Sequence, residues 1–204
     1  ADLCPGNPIP SWDDWDSDND GLSDKFEVEN EGFDPCEEDT DHDEVTDQRE
    51  LFKGTLPDNP DTDGDGLRDG TENNSGTFVS FTSSSVANTG TDPNDNDADD
   101  DGLLDGDEAQ SNIAGSPVGF RTDPNKADTD EDGLDDKDEL DGAGSRPQTE
   151  PNNPDTDGDG LEDDVETNTG TFVDTDDTGS NPTEGDSDAD GLGDAAETGT
   201  GTWV

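Results

Sequence analysis

The chain has 204 residues, with 61 Asp and Glu against 8 Lys and Arg and a formal net charge of −53. Leu, Ile, Val and Phe together number only 28, a composition that by itself belongs to disordered chains, so apolar burial alone does not fold this protein. Acidity spread so evenly argues against nucleic acid or anionic membrane as a direct partner and suits cations or a basic partner.

The chain begins "ADLCPG" without Met and contains no Met anywhere, so Ala1 is read as the residue left after a signal peptide was removed, with a piece trimmed from a longer chain as the alternative. No apolar stretch approaches the roughly 20 residues needed to span a bilayer. Residues 1–15 form an N-terminal arm that carries Trp12 and Trp15 in "SWDDWD". Cys4 and Cys36 are the only cysteines, with no metal-type Cys or His cluster nearby. A disulfide formed in an oxidising compartment is the simplest reading, and two unrelated thiols are the alternative.

From Asp16 onward one twelve-residue pattern organises the sequence, and internal repeats override any single-domain reading. The first copy, "DSDNDGLSDKFE", offers Asp16, Asp18, Asp20, Asp24 and Glu27. The second, "DTDHDEVTDQRE", offers Asp39, Asp41, Asp43, Asp47 and Glu50, and the third, "DTDGDGLRDGTE", offers Asp61, Asp63, Asp65, Asp69 and Glu72. In "DADDDGLLDGDE" the set is Asp97, Asp99, Asp101, Asp105 and Glu108; in "DTDEDGLDDKDE" it is Asp128, Asp130, Asp132, Asp136 and Glu139. The last two, "DTDGDGLEDDVE" and "DSDADGLGDAAE", supply Asp155, Asp157, Asp159, Asp163 and Glu166, then Asp186, Asp188, Asp190, Asp194 and Glu197. All seven keep Asp at positions 1, 3, 5 and 9 and Glu at 12; six keep Gly at 6 and Leu at 7, where the second loop has Glu44 and Val45.

This is the calcium-loop form D-x-[DN]-x-[DN]-G-x5-E. Alternate acidic residues let a tight loop aim three carboxylates at one ion, Gly permits the sharp turn, the carbonyl of residue 7 adds a neutral oxygen, and Glu at 12 closes the shell with both its oxygens. Hard oxygen ligands in this number favour Ca2+ over Mg2+, and at least seven sites are expected. Position 9 is less defined: it ligates through water, or directly binds a second ion shared with a neighbouring loop.

Between the loops, Pro35, Pro57, Pro93, Pro124, Pro151 and Pro182 each stand four residues ahead of the next loop, and Gly32, Gly54, Gly90 and Gly179 stand seven ahead. A Gly followed by a fixed-φ Pro stops one element and sets the entry to the next. After each position 7 the spacing predicts helices of at most two or three turns, as in 22–32 and 45–54, with acidic first turns. Position 7, with Phe26, Leu51, Leu140 or Val165, is expected to form a thin apolar seam. The repeats divide as 16–38, 39–60, 61–96, 97–127, 128–154, 155–185 and 186–204. "NSGTFVSF" (74–81), "NTGTFVDT" (168–175) and the terminal "TGTGTWV" (198–204) favour short strands, the first two as small hairpins. The third has no continuation in this sequence, so pairing of the Trp203 strand with the N-terminal arm of a neighbour, head to tail, is expected, with a fragment cut at a repeat boundary as the alternative. Asn73 begins an N-x-S sequon beside the Ser/Thr-rich run 80–91.

The seven "DxDxDGLxDxxE" loops and their "GTDP" leaders resemble thrombospondin type 3 repeats of the kind found in bacterial surface and secreted proteins, over roughly residues 13–199. The resemblance implies an elongated calcium-stabilised rod: a repeat array of EF-hand-like loops with little regular secondary structure, short helices and small strand inserts, its acidic loop positions being the ligands. Animal members carry a cysteine in each unit; with Cys4 and Cys36 alone, calcium must do more of the stabilising. An enzyme is not expected, since the lone His42 has no partner for catalysis and few apolar residues remain to line a dry pocket. The expected role is an extracellular structural protein that folds on binding Ca2+ and serves as a filament subunit, stalk or spacer. The alternative is a calcium-dependent adhesin or matrix-binding module of a bacterial surface protein.

Overall fold

Tight carboxylate loops followed by one or two helical turns recur along the chain, in a computed structural model that describes Cys4 and residues 16–79, 88–110 and 121–198. The expectations for Trp12, Trp15, Trp203, the Ser/Thr run over 80–87 and most of the insert 113–122 fall outside the described residues. The chain divides into two compact units, Ala1–Ala98 and Asp99–Val204, so the division falls inside the fourth loop.

Each helix starts on the Asp at loop position 9. In the N-terminal unit these are α1 (Asp24–Glu29) and α2 (Asp47–Lys53); in the C-terminal unit they are α3 (Asp105–Gln110), α4 (Asp136–Asp141) and α5 (Asp194–Glu197). The residue before the helix is extended, and in α1 the Ser23 side chain caps the Phe26 amide. Acidic residues at the first and fourth helical positions suit the positive end of the peptide dipoles. Gly54, with φ of 84°, ends α2 in the left-handed conformation and donates its amide to the Glu50 carbonyl. Repeats three and six keep only a single 3-10 turn each, Asp69–Thr71 and Asp163–Val165. Gly70 in the first and β-branched Val165 in the second weaken helix propagation. Gly70 is needed for a further reason: a Cβ there would lie 2.1 Å from the Asp43 carbonyl oxygen. Basic side chains cover the exposed carbonyls of both turns, Lys53 Nζ on Asp69 and Glu72 at 3.0 and 3.1 Å, and Arg146 Nε on Glu166 at 3.0 Å.

Within the loops, position 6 is strongly left-handed, with φ from 98° to 108° at Gly21, Gly66, Gly102, Gly133, Gly160 and Gly191. Glu44 is held at φ 83° in the second loop. A side chain in this region costs about 1–2 kcal/mol, so Glu44→Gly is expected to stabilise the N-terminal unit by about 1 kcal/mol, checked by denaturant unfolding in saturating calcium. Position 4 is left-handed as well, even where it is Asn19, His42, Asp100, Glu131 or Ala189.

The two inserts fold alike, though with less strand than expected. Asn74 and Gly76 donate to the carbonyls of Thr91 and Gly90, and Asn168 and Gly170 donate to those of Ser180 and Gly179. Among the described residues the ladders amount to isolated antiparallel bridges, Val79 with Asn88 and Asp174 with Asp177, and no strand forms. With Gly and Ser/Thr at the crossing points, little apolar surface is available to extend either ladder.

The interior is made of carboxylates and hydroxyls. Among the described residues buried apolar side chains are few: Val45, Leu67, Leu103 and Leu134 at position 7, with Ala109, Leu140 and Cys4. Leu103 and Leu140 touch in the C-terminal unit. The expected seam is therefore partial: Leu51 is half exposed and Phe52 is 83% exposed, while Phe26 instead meets Phe33 edge to face, 5.5 Å between ring centres. Loops are tied to one another by polar bonds. The second oxygen of the position 5 carboxylate accepts the position 10 amide of the next loop, Gln48 to Asp20 and Gly70 to Asp43 at 3.0 Å, and Lys137 to Asp101 and Ala195 to Asp159 at 3.3 and 3.0 Å.

Cys4 and Cys36 form the disulfide expected from sequence, across a separation of 32 residues. Closing a loop of that length restricts the unfolded chain by about 4 kcal/mol. The Cys4→Ser/Cys36→Ser double variant is expected to lose roughly that much stability in the N-terminal unit, read as a lower urea midpoint in calcium.

Candidate metal centres

Each loop is held open by its own backbone. The position 1 carboxylate accepts two amides: Asp61 from Gly64 at 2.8 Å and Gly66 at 3.1 Å, and Asp155 from Gly158 at 2.8 Å and Gly160 at 3.0 Å. Position 3 accepts the amide of position 5, and position 5 that of position 7, as in Asp63 from Asp65 and Asp65 from Leu67. These bonds point the chain inward and bring the first three acids together. Oxygens of Asp16, Asp18 and Asp20 lie within 4.8 Å of one another, as do those of Asp39, Asp41 and Asp43 and of Asp61, Asp63 and Asp65.

Oxygens without hydrogen-bond partners then recur at the same places. One buried oxygen of Asp18, Asp41, Asp63, Asp130 and Asp157, all at position 3, has no hydrogen-bond donor. At position 12 the same holds for Oε2 of Glu50, Glu72, Glu108 and Glu139, and for both oxygens of Glu27 and Glu166. These glutamates are buried, Glu50, Glu108 and Glu166 completely. A carboxylate stripped of water with no donor is strongly disfavoured. Burial, reinforced by the neighbouring aspartates, accordingly pushes Glu27, Glu50 and Glu166 up to about 8, Glu72 and Glu139 to about 9 and Glu108 to about 10. Glu197 is raised in the same direction. Burial also takes Asp18, Asp41, Asp63 and Asp157 to about 6. A hard divalent cation with several oxygen ligands meets these conditions: it supplies the positive charge that the backbone does not.

Position 9 has a role that the sequence reading missed. Asp24, Asp47, Asp69, Asp136, Asp163 and Asp194 are completely buried, and both oxygens are engaged by the residue at position 2. Thr62 donates its amide to Asp69 at 2.9 Å and its hydroxyl at 2.6 Å; Thr129 does the same to Asp136 at 2.9 and 2.8 Å, and Ser187 to Asp194 at 2.9 and 2.6 Å. The signal was present as the "DTD" and "DSD" openings of six loops; the fourth has Ala98. Position 9 also lies beside the preceding loop, since Asp69 raises Asp41 and Asp43 and Asp163 raises Asp132 by like-charge repulsion. Carboxylates of two consecutive loops are thus close together, as a shared ion, one of the two expectations for position 9, would require. His42, at position 4 of the second loop, is exposed, with Nε2 3.1 Å from a Glu37 oxygen.

No curated protein and no solved structure matches the chain. At three segments, residues 16–35, 61–77 and 155–171, which hold the first, third and sixth loops, the chain matches the bacterial TSP3 repeat family.

Proposed function

We propose that the chain is an extracellular calcium-binding structural protein whose tandem loops fold on binding Ca2+ into a rigid rod used as a filament subunit, stalk or spacer, with no catalytic role. The observation that carries this reading is the recurrence, loop after loop, of unpartnered buried oxygens at positions 3 and 12. The family match supports it, because TSP3 repeats are calcium-binding modules. The disulfide fits an oxidising compartment, and among the described residues no helix is long and apolar enough to cross a membrane.

In each loop the position 1, 3, 5 and 12 carboxylates would hold the ion, which supplies countercharge and ties the ends of the loop together. Seven ions would cancel 14 of the 53 formal negative charges, at two charges each. The remainder keeps the loaded chain acidic.

Equilibrium calcium binding and sedimentation velocity on one sample test the reading. At least seven ions per chain with an elongated monomer means a stalk or spacer; the same stoichiometry with large assemblies that disperse in chelator means a filament. Fewer than three ions per chain at millimolar calcium, the range of extracellular modules, overturns it.

A further inference from the structure

The closing glutamate of a loop is not oriented by its own loop. Thr55, six residues ahead of the third loop, donates its hydroxyl to Oε1 of Glu50 in the second loop at 3.3 Å. The same bond runs from Thr91 to Glu72 at 3.0 Å, from Thr122 to Glu108 at 2.8 Å and from Thr149 to Glu139 at 3.0 Å. All four threonines are buried. In all four glutamates it is the other oxygen, Oε2, that has no partner. One carboxylate oxygen is thus fixed and the other is presented.

In the leaders of the third, fifth and sixth loops the next residue faces the other way along the chain, whereas position 2 of the fourth loop is Ala98 and offers no hydroxyl. The Leu56 amide donates to the Thr62 hydroxyl at 2.9 Å, which holds Asp69 of the third loop; the Glu150 amide donates to Thr156 at 2.9 Å, which holds Asp163 of the sixth. Two adjacent leader residues therefore join the glutamate of one loop to the position 9 lock of the next. Two other leaders vary the threonine itself. Phe33 replaces the threonine behind the first loop, and there both oxygens of Glu27 are without partners. Ser180 lies by Glu166 and favours its ionised form, yet neither Glu166 oxygen has a hydrogen bond of regular geometry.

Resting on the calcium reading above, we propose that these leader threonines are positioning residues for calcium: each fixes the closing glutamate of the preceding loop, so that an ion site is complete only when the leader of the following repeat is seated. Groups that orient a metal ligand typically change affinity by about 10–100-fold when removed. Val keeps the shape of Thr149 and removes its hydroxyl, leaving Glu139 free to rotate away.

The test is a calcium titration of the full 15N-labelled chain, reading the amides of Gly133 and Leu134 in the fifth loop and Gly21 in the first. Thr149→Val is expected to raise the half-saturating calcium of the fifth loop by about tenfold while Gly21 keeps its midpoint, and Thr149→Ser is expected to return most of the affinity. Thr122→Val, read at Gly102 in the fourth loop, repeats the test independently of how well the first variant folds. An unchanged fifth-loop midpoint in Thr149→Val, or an equal shift in the first and fifth loops, overturns the proposal while leaving calcium binding intact. A wild-type chain whose amides ignore calcium removes the reading beneath it as well.

Discussion

Stripped of calcium at neutral pH, the chain is expected to lose its helical circular dichroism and its protected amides together, and to regain both when calcium returns. The expected effect is large because it sums over sites. Calcium at a hundred times its dissociation constant adds about 2.7 kcal/mol per site, or about 19 kcal/mol over seven independent sites. That exceeds the 5–15 kcal/mol that separates an ordinary folded domain from its unfolded chain. Among the described residues nothing else is on this scale: the disulfide contributes about 4 kcal/mol to the N-terminal unit alone, and the apolar interior is a handful of side chains, most of them at position 7. Magnesium at the same concentration is expected to restore much less, since it keeps more of its water and demands a tighter octahedral shell than a glutamate-closed loop provides. Helical signal and amide protection that survive chelation would show that the polar framework of the loops is sufficient by itself.

The carboxylate clusters were legible in the sequence because the acidic positions recur at fixed spacing, and the structure brings positions 1, 3 and 5 of the first three loops together. Asp at 1, 3 and 5 with Glu at 12 is a costly arrangement without a cation, and seven copies in one register mark where such clusters form. The disulfide was legible because there were only two cysteines to join. What was not legible is how the ligands are held. The leader sequence "GTLP" reads as turn punctuation, and the structure gives its Thr55 a buried hydroxyl bond to Glu50. Position 2 looks like a variable spacer, yet Thr62 locks Asp69. Both roles depend on contacts made across a loop or between repeats, which spacing along one strand of sequence does not display. The left-handed backbone at position 4 leaves no compositional trace, since Asn19, His42, Glu131 and Ala189 adopt it as readily as Gly64. Leu51 was expected in the apolar seam, but the face of α2 directed inward is the one bearing Asp47 and Glu50.

Acidification acts in opposite directions on the calcium-free and calcium-loaded chains. In the free chain, Glu27, Glu50, Glu72, Glu108, Glu139 and Glu166 sit at about 8 to 10 when folded, against about 4.3 for an unfolded glutamate. The folded state therefore binds more protons than the unfolded state throughout this window, and its stability falls as pH rises. The effect is absent below about pH 4, where both states are protonated, and fully developed above the folded values. Lowering the pH of ion-stripped protein from 8 to 5 is expected to raise helical content and the urea midpoint, with proton uptake on folding. In calcium the same carboxylates must give up their protons to bind the ion, so the same pH change weakens affinity and releases calcium. Denaturation of resin-stripped protein at both pH values, beside calcium titrations at the same two, separates the trends. Parallel pH dependence with and without calcium would mean that the buried glutamates do not face the ion, and that the closing position of the loop has been misassigned.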